Sequence, residues 1–387
     1  MYLGMRRSTG AAVIAAVIVG AAAVAAQAGT QRAAAHVPAT CNGLQYGHIG
    51  PLTGPAAVLG QEQLHWDRLA LQQFNASHKT HFKLVEGDSQ LSAAQGSTVA
   101  QSFAADHSIL AVVGPAASQV VRVAGPIFAK ADLAMVSESA TDGRLSDGEF
   151  PTFFRVNANN DSQAPTLALL IEKKLKPTKV MIVDDQSPDK TQLANEVAHL
   201  LARKGIQVDR ESVSQKATDF SSLVARIDSG TGVVLLSWQV ASEGQLFGQQ
   251  MAAQGKHATI VAANGLYSPT QFTPEGAYVA SFAPDVRFVK YARPTIKAYE
   301  KEYGNTFGTY GPPTYVAAQV ALNAMWDVCS TGHKPTRASV LAAIRKTHFK
   351  QTILGTPLVF AKNGNSRRAV FFLFHVENGK YVPASTR

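Results

Sequence analysis

Apolar and polar positions alternate in blocks along this chain. Short apolar runs at 44–49, 81–86, 109–113 and 133–137 read as strands, and amphipathic stretches at 60–76, 91–106 and 117–130 read as helices between them. The same rhythm returns with strands at 178–183, 206–213, 232–237 and 258–262 and helices at 162–175, 190–204, 219–228 and 242–254. Strands that alternate with helical stretches of this length predict an α/β fold of parallel sheets with helices on both faces. Two such series predict two similar lobes, although no sequence repeat relates them. Further on, helices are expected at 291–303, 313–329 and 337–347, and strands at 357–360 and 369–376 joined through Asn363-Gly364-Asn365. Three extended passages, 152–156, 277–283 and 355–360, carry no helix and read as crossings between the lobes.

Two strand ends carry the same kind of turn. Gly50-Pro51-Leu52-Thr53-Gly54-Pro55 follows the first strand, and Gly114-Pro115-Ala116-Ala117-Ser118 follows the third. Each combines glycine and proline with a hydroxyl just before a helix. In an open parallel sheet such turns lie at the carboxyl ends of the strands, where helix N-termini offer free N–H groups to a ligand. Neither turn has the glycine spacing of a phosphate loop or a dinucleotide fingerprint. A small polar ligand is therefore expected, with no cofactor.

The first 28 residues read as a secretory signal peptide. Arg6 and Arg7 form a basic start, 11–26 is an apolar run rich in Ala and Val, and Ala26-Gln27-Ala28 is a cleavage pattern. The apolar run is short for a spanning helix. The protein is thus expected outside the cytoplasm, periplasmic or associated with the cell surface. The formal net charge of the full chain is +9, but the basic residues are scattered. The densest group, Lys173, Lys174, Lys176 and Lys179, falls at a helix end without interleaved aromatics, so nucleic-acid binding is not expected. Eleven histidines are present, yet no Gly-x-Ser-x-Gly, His-Glu-x-x-His or metal-spaced cysteine pair occurs. The chain does not read as an enzyme or a metal binder; a secreted hydrolase is the weakest of the alternatives. His48, inside the first strand, reads as a packed histidine.

Taken in order, several segments resemble the type I periplasmic binding proteins of the leucine/isoleucine/valine-binding group. They are the first turn at 50–55, Glu86-Gly87-Asp88-Ser89, Val113-Gly114-Pro115-Ala116-Ala117-Ser118, Val136-Ser137-Glu138-Ser139-Ala140-Thr141, Asp219-Phe220-Ser221-Ser222-Leu223-Val224, and Tyr310-Gly311-Pro312-Pro313-Thr314-Tyr315. The resemblance covers roughly 43–380. It implies two Rossmann-like lobes joined by a three-strand hinge, with a ligand in the cleft between them. The lobes would comprise 41–155 with 284–355, and 156–283 with 356–387. It also implies a monomer that hands a solute to the permease of an ABC transporter, or, alternatively, presents it to a membrane signalling partner.

Residue by residue, the resemblance implies that Ser118 and Thr141 hold a carboxylate, with Ser139 and Ala140 beside them. Tyr310 would line the pocket, Leu59 would stand where an aromatic is common, and Trp238 would supply an aromatic from the second lobe. The departures bear on the ligand. Where an acidic residue would pair with an amino-acid ammonium, this chain has Asn264. Where an aromatic residue is usual after the strand at 178–183, Asp189 falls nearby. Asp185, Asp189 and Glu243 are the acids that can replace the missing partner. Amino acids, amides, small carboxylates and aromatic compounds all stay open as ligands. Leucine, isoleucine and valine are expected to bind weakly or not at all.

The two cysteines are Cys41 and Cys329. An even count in an exported chain favours a disulfide. Family disulfides often lie near the second and third strands, where this chain has Asp88-Ser89-Gln90 and Ala117. Cys41 precedes the first strand, at the end of a lobe remote from the cleft. The helix from Pro313 starts near the cleft and runs roughly 24 Å away from it, which brings Cys329 to the same end. A bond between them is the expectation; two free thiols and a lipidated Cys41 are the alternatives.

Overall fold

The computed structural model describes residues 37–385; the signal-peptide reading of 1–28 lies outside the described residues. Five parallel strands form a first sheet in the order β2-β1-β3-β4-β5. They are β1 (Gln45–Gly50), β2 (Lys83–Asp88), β3 (Ile109–Val113), β4 (Ala134–Ser137) and β5 (Phe153–Arg155). Between them run α1 (Ala57–His78), α2 (Ala93–Ala105) and α3 (Ser118–Lys130). The chain then enters a second sheet through α4 (Asn160–Leu169), β6 (Lys179–Asp184), α5 (Pro188–Ala202), β7 (Gln207–Ser212), α6 (Ser221–Ala225), β8 (Thr231–Ser237), α7 (Ala241–Ala253), β9 (Thr259–Ala262) and β10 (Tyr278–Ser281). It returns to the first sheet as α8 (Arg293–Tyr303), α9 (Gly311–Cys329) and α10 (Arg337–Arg345). The short strands β11 (His348–Phe349) and β12 (Leu358–Val359) pair with each other. The last hairpin, β13 (Phe372–Glu377) and β14 (Lys380–Ala384), completes the second sheet, ordered β14-β13-β10-β9-β8-β6-β7. The molecule is therefore an α/β protein with two large sheets flanked by helices and a third, two-stranded sheet.

Period-two burial sets the layers. In β3, Ala111 and Val113 face a core built by Trp66 and Leu69 of α1 with Val316, Ala317 and Val320 of α9. Val112 points the other way, onto Val120, Ala124 and Phe128 of α3. In the second sheet Ile182, Val233 and Leu235 pack on Leu193 and Val197 of α5. Val183, Val234 and Leu236 pack on Leu223 of α6 and Phe247 and Met251 of α7. Both faces of β3, β6 and β8 are apolar, as a covered parallel sheet requires.

Several elements differ from the sequence reading at their ends. The helix expected over 219–228 holds only for 221–225. The strand expected at 369–376 begins at Phe372, and it turns at Asn378-Gly379 into β14, a strand absent from the sequence reading. Asn378 and Gly379 both have positive φ (53° and 69°), the pair that a tight hairpin needs. Asn363-Gly364 is also a turn, with Gly364 N–H donating to the Ala361 carbonyl at 3.0 Å, but the strand before it pairs with β11.

Cys41 and Cys329 form a disulfide, with Cα atoms 5.0 Å apart and both residues fully buried. Thr40 Oγ1 donates to the Cys329 carbonyl at 2.7 Å beside it. The bond ties the segment before β1 to the end of α9, on the side of the first sheet away from its carboxyl ends.

Candidate ligand-binding cleft

The carboxyl ends of both sheets face one another across a small cavity. Its volume is about 50 Å³. The first sheet contributes Pro51, Ala56, Leu59, Gln63, Leu91, Ala116, Ala117, Ser118, Ser139 and Thr141. The second contributes Asp189, Lys190, Gln239, Asn264 and Gly265, and Tyr310 closes one side from the start of α9. The halves touch around it. Gln119 and Gln239 exchange side-chain amide hydrogen bonds at 3.1 and 3.2 Å, Arg144 Nη2 donates to the Pro188 carbonyl at 3.3 Å, and Tyr310 Oη donates to the Asn264 carbonyl at 3.0 Å.

The first wall is built by turns. Gly114 has φ +97°, and a Cβ there would stand 2.4 Å from the Ile49 carbonyl oxygen; only glycine lets the β3 turn lie this close to β1. Ser118 opens α3, and its Oγ accepts from the Thr141 and Asp142 N–H groups, both at 3.2 Å. Its proton is thereby left for the cavity. Thr141 Oγ1 has no hydrogen-bond partner among the described residues. Ser139 differs: it donates to the Ala116 carbonyl at 2.9 Å and accepts from Gln63 Nε2 at 2.9 Å. The first two N–H groups of α3, on Ser118 and Gln119, have no intrahelical acceptor, whereas those of Val120 and Val121 donate to the Ala117 carbonyl at 3.0 Å. Two hydroxyls and a helix N-terminus make a donor-rich, uncharged surface suited to a carboxylate.

A buried acid stands behind that wall. Gln63 Nε2 also donates to Glu138 Oε1 at 3.0 Å. Burial pushes the Glu138 carboxyl up to about 7, opposed in part by His48. His48, as expected, is packed in the core, with Nδ1 2.8 Å from Asp67 Oδ2. Arg155, fully buried, donates to the carbonyls of Ala140 and Asp142 at 3.2 and 2.8 Å and to Asn365 Oδ1 at 2.7 Å. It holds the loop that carries Thr141.

The second wall is charged. Lys190 Nζ lies 3.0 Å from Asp189 Oδ2 and 3.1 Å from Asn264 Oδ1, and both members of the ion pair are almost fully buried. Gln239 Nε2 donates to Asp189 Oδ1 at 2.9 Å. Asn264 Nδ2 approaches Tyr310 Oη at 3.3 Å. Gly265 packs under this wall: a Cβ there would stand 2.1 Å from the Trp238 carbonyl oxygen.

Seven residues singled out from sequence therefore line the cavity: Leu59, Ser118, Ser139, Thr141, Asp189, Asn264 and Tyr310. Two do not. Trp238 continues the inward face of β8 and packs on Phe220 and Phe247, with ring centroids 4.9 and 5.5 Å away; the next residue, Gln239, takes the place at the cavity. Ala140 lines no part of it and serves through its backbone, its N–H donating to Ser137 Oγ at 3.1 Å and its carbonyl accepting from Arg155 and Asn157. Among the three acids weighed as ammonium partners, only Asp189 reaches the cavity. Asp185 is turned to the Gln239 N–H, Gln215 and Ser187, and Glu243 lies outside the lining. Lys190, Gln239 and Gln63 were not foreseen. Pro188, a helix-start signal at N1, was the available pointer to Lys190.

Residues 43–380 match the sequence profile of the periplasmic binding protein family. The chain is 27% identical over 338 residues to Leu/Ile/Val-binding protein homolog 1 of Brucella abortus, which covers 85% of this chain and 89% of that one. Its fold is similar to that of the branched-chain amino acid substrate-binding protein LivJ of Streptococcus pneumoniae in complex with isoleucine, with TM-score 0.78 and 20% identity, covering 88% of this chain and 98% of that one. A solute-binding protein of R. palustris in complex with benzoate is equally similar, with TM-score 0.78 and 16% identity, covering 88% and 95%.

Proposed function

The chain belongs to the periplasmic binding protein family, and from that premise we propose that it captures a small solute outside the cytoplasmic membrane and delivers it to an ABC permease. The solute lies in the cavity between the two sheets. The observation that supports this reading most is the pairing of two unlike walls around one cavity. One wall carries the free donors of Ser118, Thr141 and the α3 N-terminus, and the other carries Lys190, Asp189 and Asn264.

A carboxylate on the first wall accounts for those donors. Closure over it would follow from contacts such as the Gln119–Gln239 pair, which exists only when the lobes are together. The closed form then presents a surface for the permease that the open form lacks. The protein works as an exported monomer that binds its ligand and does not transform it.

A thermal-shift screen over amino acids, amides, small carboxylates and aromatic acids tests the reading. A ligand at a hundred times its Kd raises stability by roughly 2.7 kcal/mol. The same ligand must lose most of that shift in Ser118→Ala. A screen with no stabilising compound, or a shift indifferent to Ser118, would remove the cleft as the binding site.

A further inference from the structure

Lys190 has an unmet donor. An ammonium carries three N–H groups, and the protein takes two, at Asp189 Oδ2 and Asn264 Oδ1. The third has no acceptor among the described residues. Lys190 is 2% exposed and lines the cavity, so that donor is met from inside the cavity or left unmet. Its surroundings sharpen the point. Lys190 stands in the first turn of α5, where a helix N-terminus already carries positive partial charge and a cation is disfavoured. The α3 N-terminus faces the same space from the other wall.

The carboxylate at the cavity, by contrast, is already paired. Asp189 is the only carboxylate on the cavity wall among the described residues, and each of its oxygens already has a donor, Lys190 or Gln239. The Asn264 side-chain oxygen is turned to Lys190. An incoming ammonium would meet the like charge of Lys190 and a carboxylate whose charge Lys190 already pairs. An incoming oxygen acceptor would complete the Lys190 shell.

We propose that Lys190 is the specificity-determining residue of the cleft and that the ligand is a small aliphatic 2-oxo acid. This rests on the cleft being the binding site. The carboxylate sits at Ser118 and Thr141, the 2-oxo oxygen accepts from Lys190, and a short alkyl group lies on Pro51, Ala56, Leu59 and Leu91. An α-amino acid of the same skeleton differs at one group, an ammonium in place of the oxo oxygen, and that group faces Lys190. A second carboxylate in that place would need more donors than Lys190 has left.

Titration calorimetry on the protein with an isosteric pair, 2-oxoisovalerate and valine, tests this. The expected result is a Kd for 2-oxoisovalerate at least tenfold below that for valine. Lys190→Met is expected to raise the 2-oxoisovalerate Kd at least tenfold. Asn264→Asp, which supplies a carboxylate beside Lys190 and keeps the lysine, is expected to narrow the preference and provides a readout if the methionine variant does not fold. Valine binding as tightly as 2-oxoisovalerate, or neither compound binding, overturns the proposal. So does an unchanged 2-oxoisovalerate Kd in a folded Lys190→Met. Ser118→Ala separates the two levels of the argument. If it weakens valine binding in a protein that prefers valine, the cleft reading stands and the oxo-acid inference falls. If it leaves every ligand unaffected, the cleft reading itself falls.

Discussion

On the first sheet's side of the cleft, every polar side chain at the cavity is neutral. Ser118 takes the N–H groups of Thr141 and Asp142, and Ser139 takes Gln63 and the Ala116 carbonyl. On the second sheet's side the cavity is faced by an ion pair and two amides, drawn from α5, from the end of β8 and from the turn after β9. The first wall can bind an anion with little reorganisation, because turns fix its donors. The second wall is a balanced set in which removing one member exposes another. Affinity is therefore assigned to the first wall and selectivity to the second.

The largest effect that would break this contrast is expected at Asp189. Removing one member of a buried ion pair leaves the other charge uncompensated and costs about 3–5 kcal/mol. Asp189→Ala should lower stability in urea by that amount, and Asp189→Ala with Lys190→Met should recover most of it. A loss under 1 kcal/mol in the single variant would mean that the second wall is not a coupled set.

The disulfide offers a control on the first lobe that spares the cleft. Replacing Cys41 and Cys329 by serine should cost about 2–5 kcal/mol of stability and leave the ligand Kd unchanged, because the bond lies away from the carboxyl ends of the sheet. A Kd change beyond twofold would show that the first wall is not fixed by its turns alone.

The neutrality of the first wall has a pH range. Burial raises the Glu138 carboxyl to about 7 from its ordinary 4.5, so the folded protein holds this proton more tightly than the unfolded chain. Its contribution is fully present below about pH 4.5 and is lost as pH rises through about 7, a change of about 3 kcal/mol. Glu138→Gln keeps an acceptor for Gln63 and removes the titration. Urea midpoints between pH 4.5 and 8 should fall less steeply in the variant than in the parent. Equal slopes would contradict the assignment.

The smallest effect is expected at Ser118. Ser118→Ala deprives two backbone N–H groups of their acceptor, a cost of about 1–3 kcal/mol. A loss near the level of Asp189→Ala would erase the distinction between the walls.

The same contrast explains what could be read in the chain. The layered fold was legible because covered parallel strands are nearly all apolar and the helices between them are amphipathic. Ser118, Ser139 and Thr141 were legible because they sit in short turns whose chemistry is local. Lys190 was not, because its role depends on a distant partner. The helix starts at Pro188, two residues before the expected 190, and Lys190 gains its role only from Asn264, 74 residues away in sequence. Trp238 and Gln239 show a different sensitivity, since a strand's two faces differ by one residue. The hairpin strand β14 was missed because its pattern is short and contains Pro383, tolerated at an outer strand of the sheet.

The most direct test of the central claim is a crystal structure of the protein with the strongest hit from the ligand screen. The account predicts density between the two walls, with an oxygen of the ligand within hydrogen-bond distance of Ser118 Oγ and Thr141 Oγ1 and a second acceptor at Lys190 Nζ. Ligand bound outside the cleft, or inside it with Ser118 and Thr141 untouched, would contradict the account.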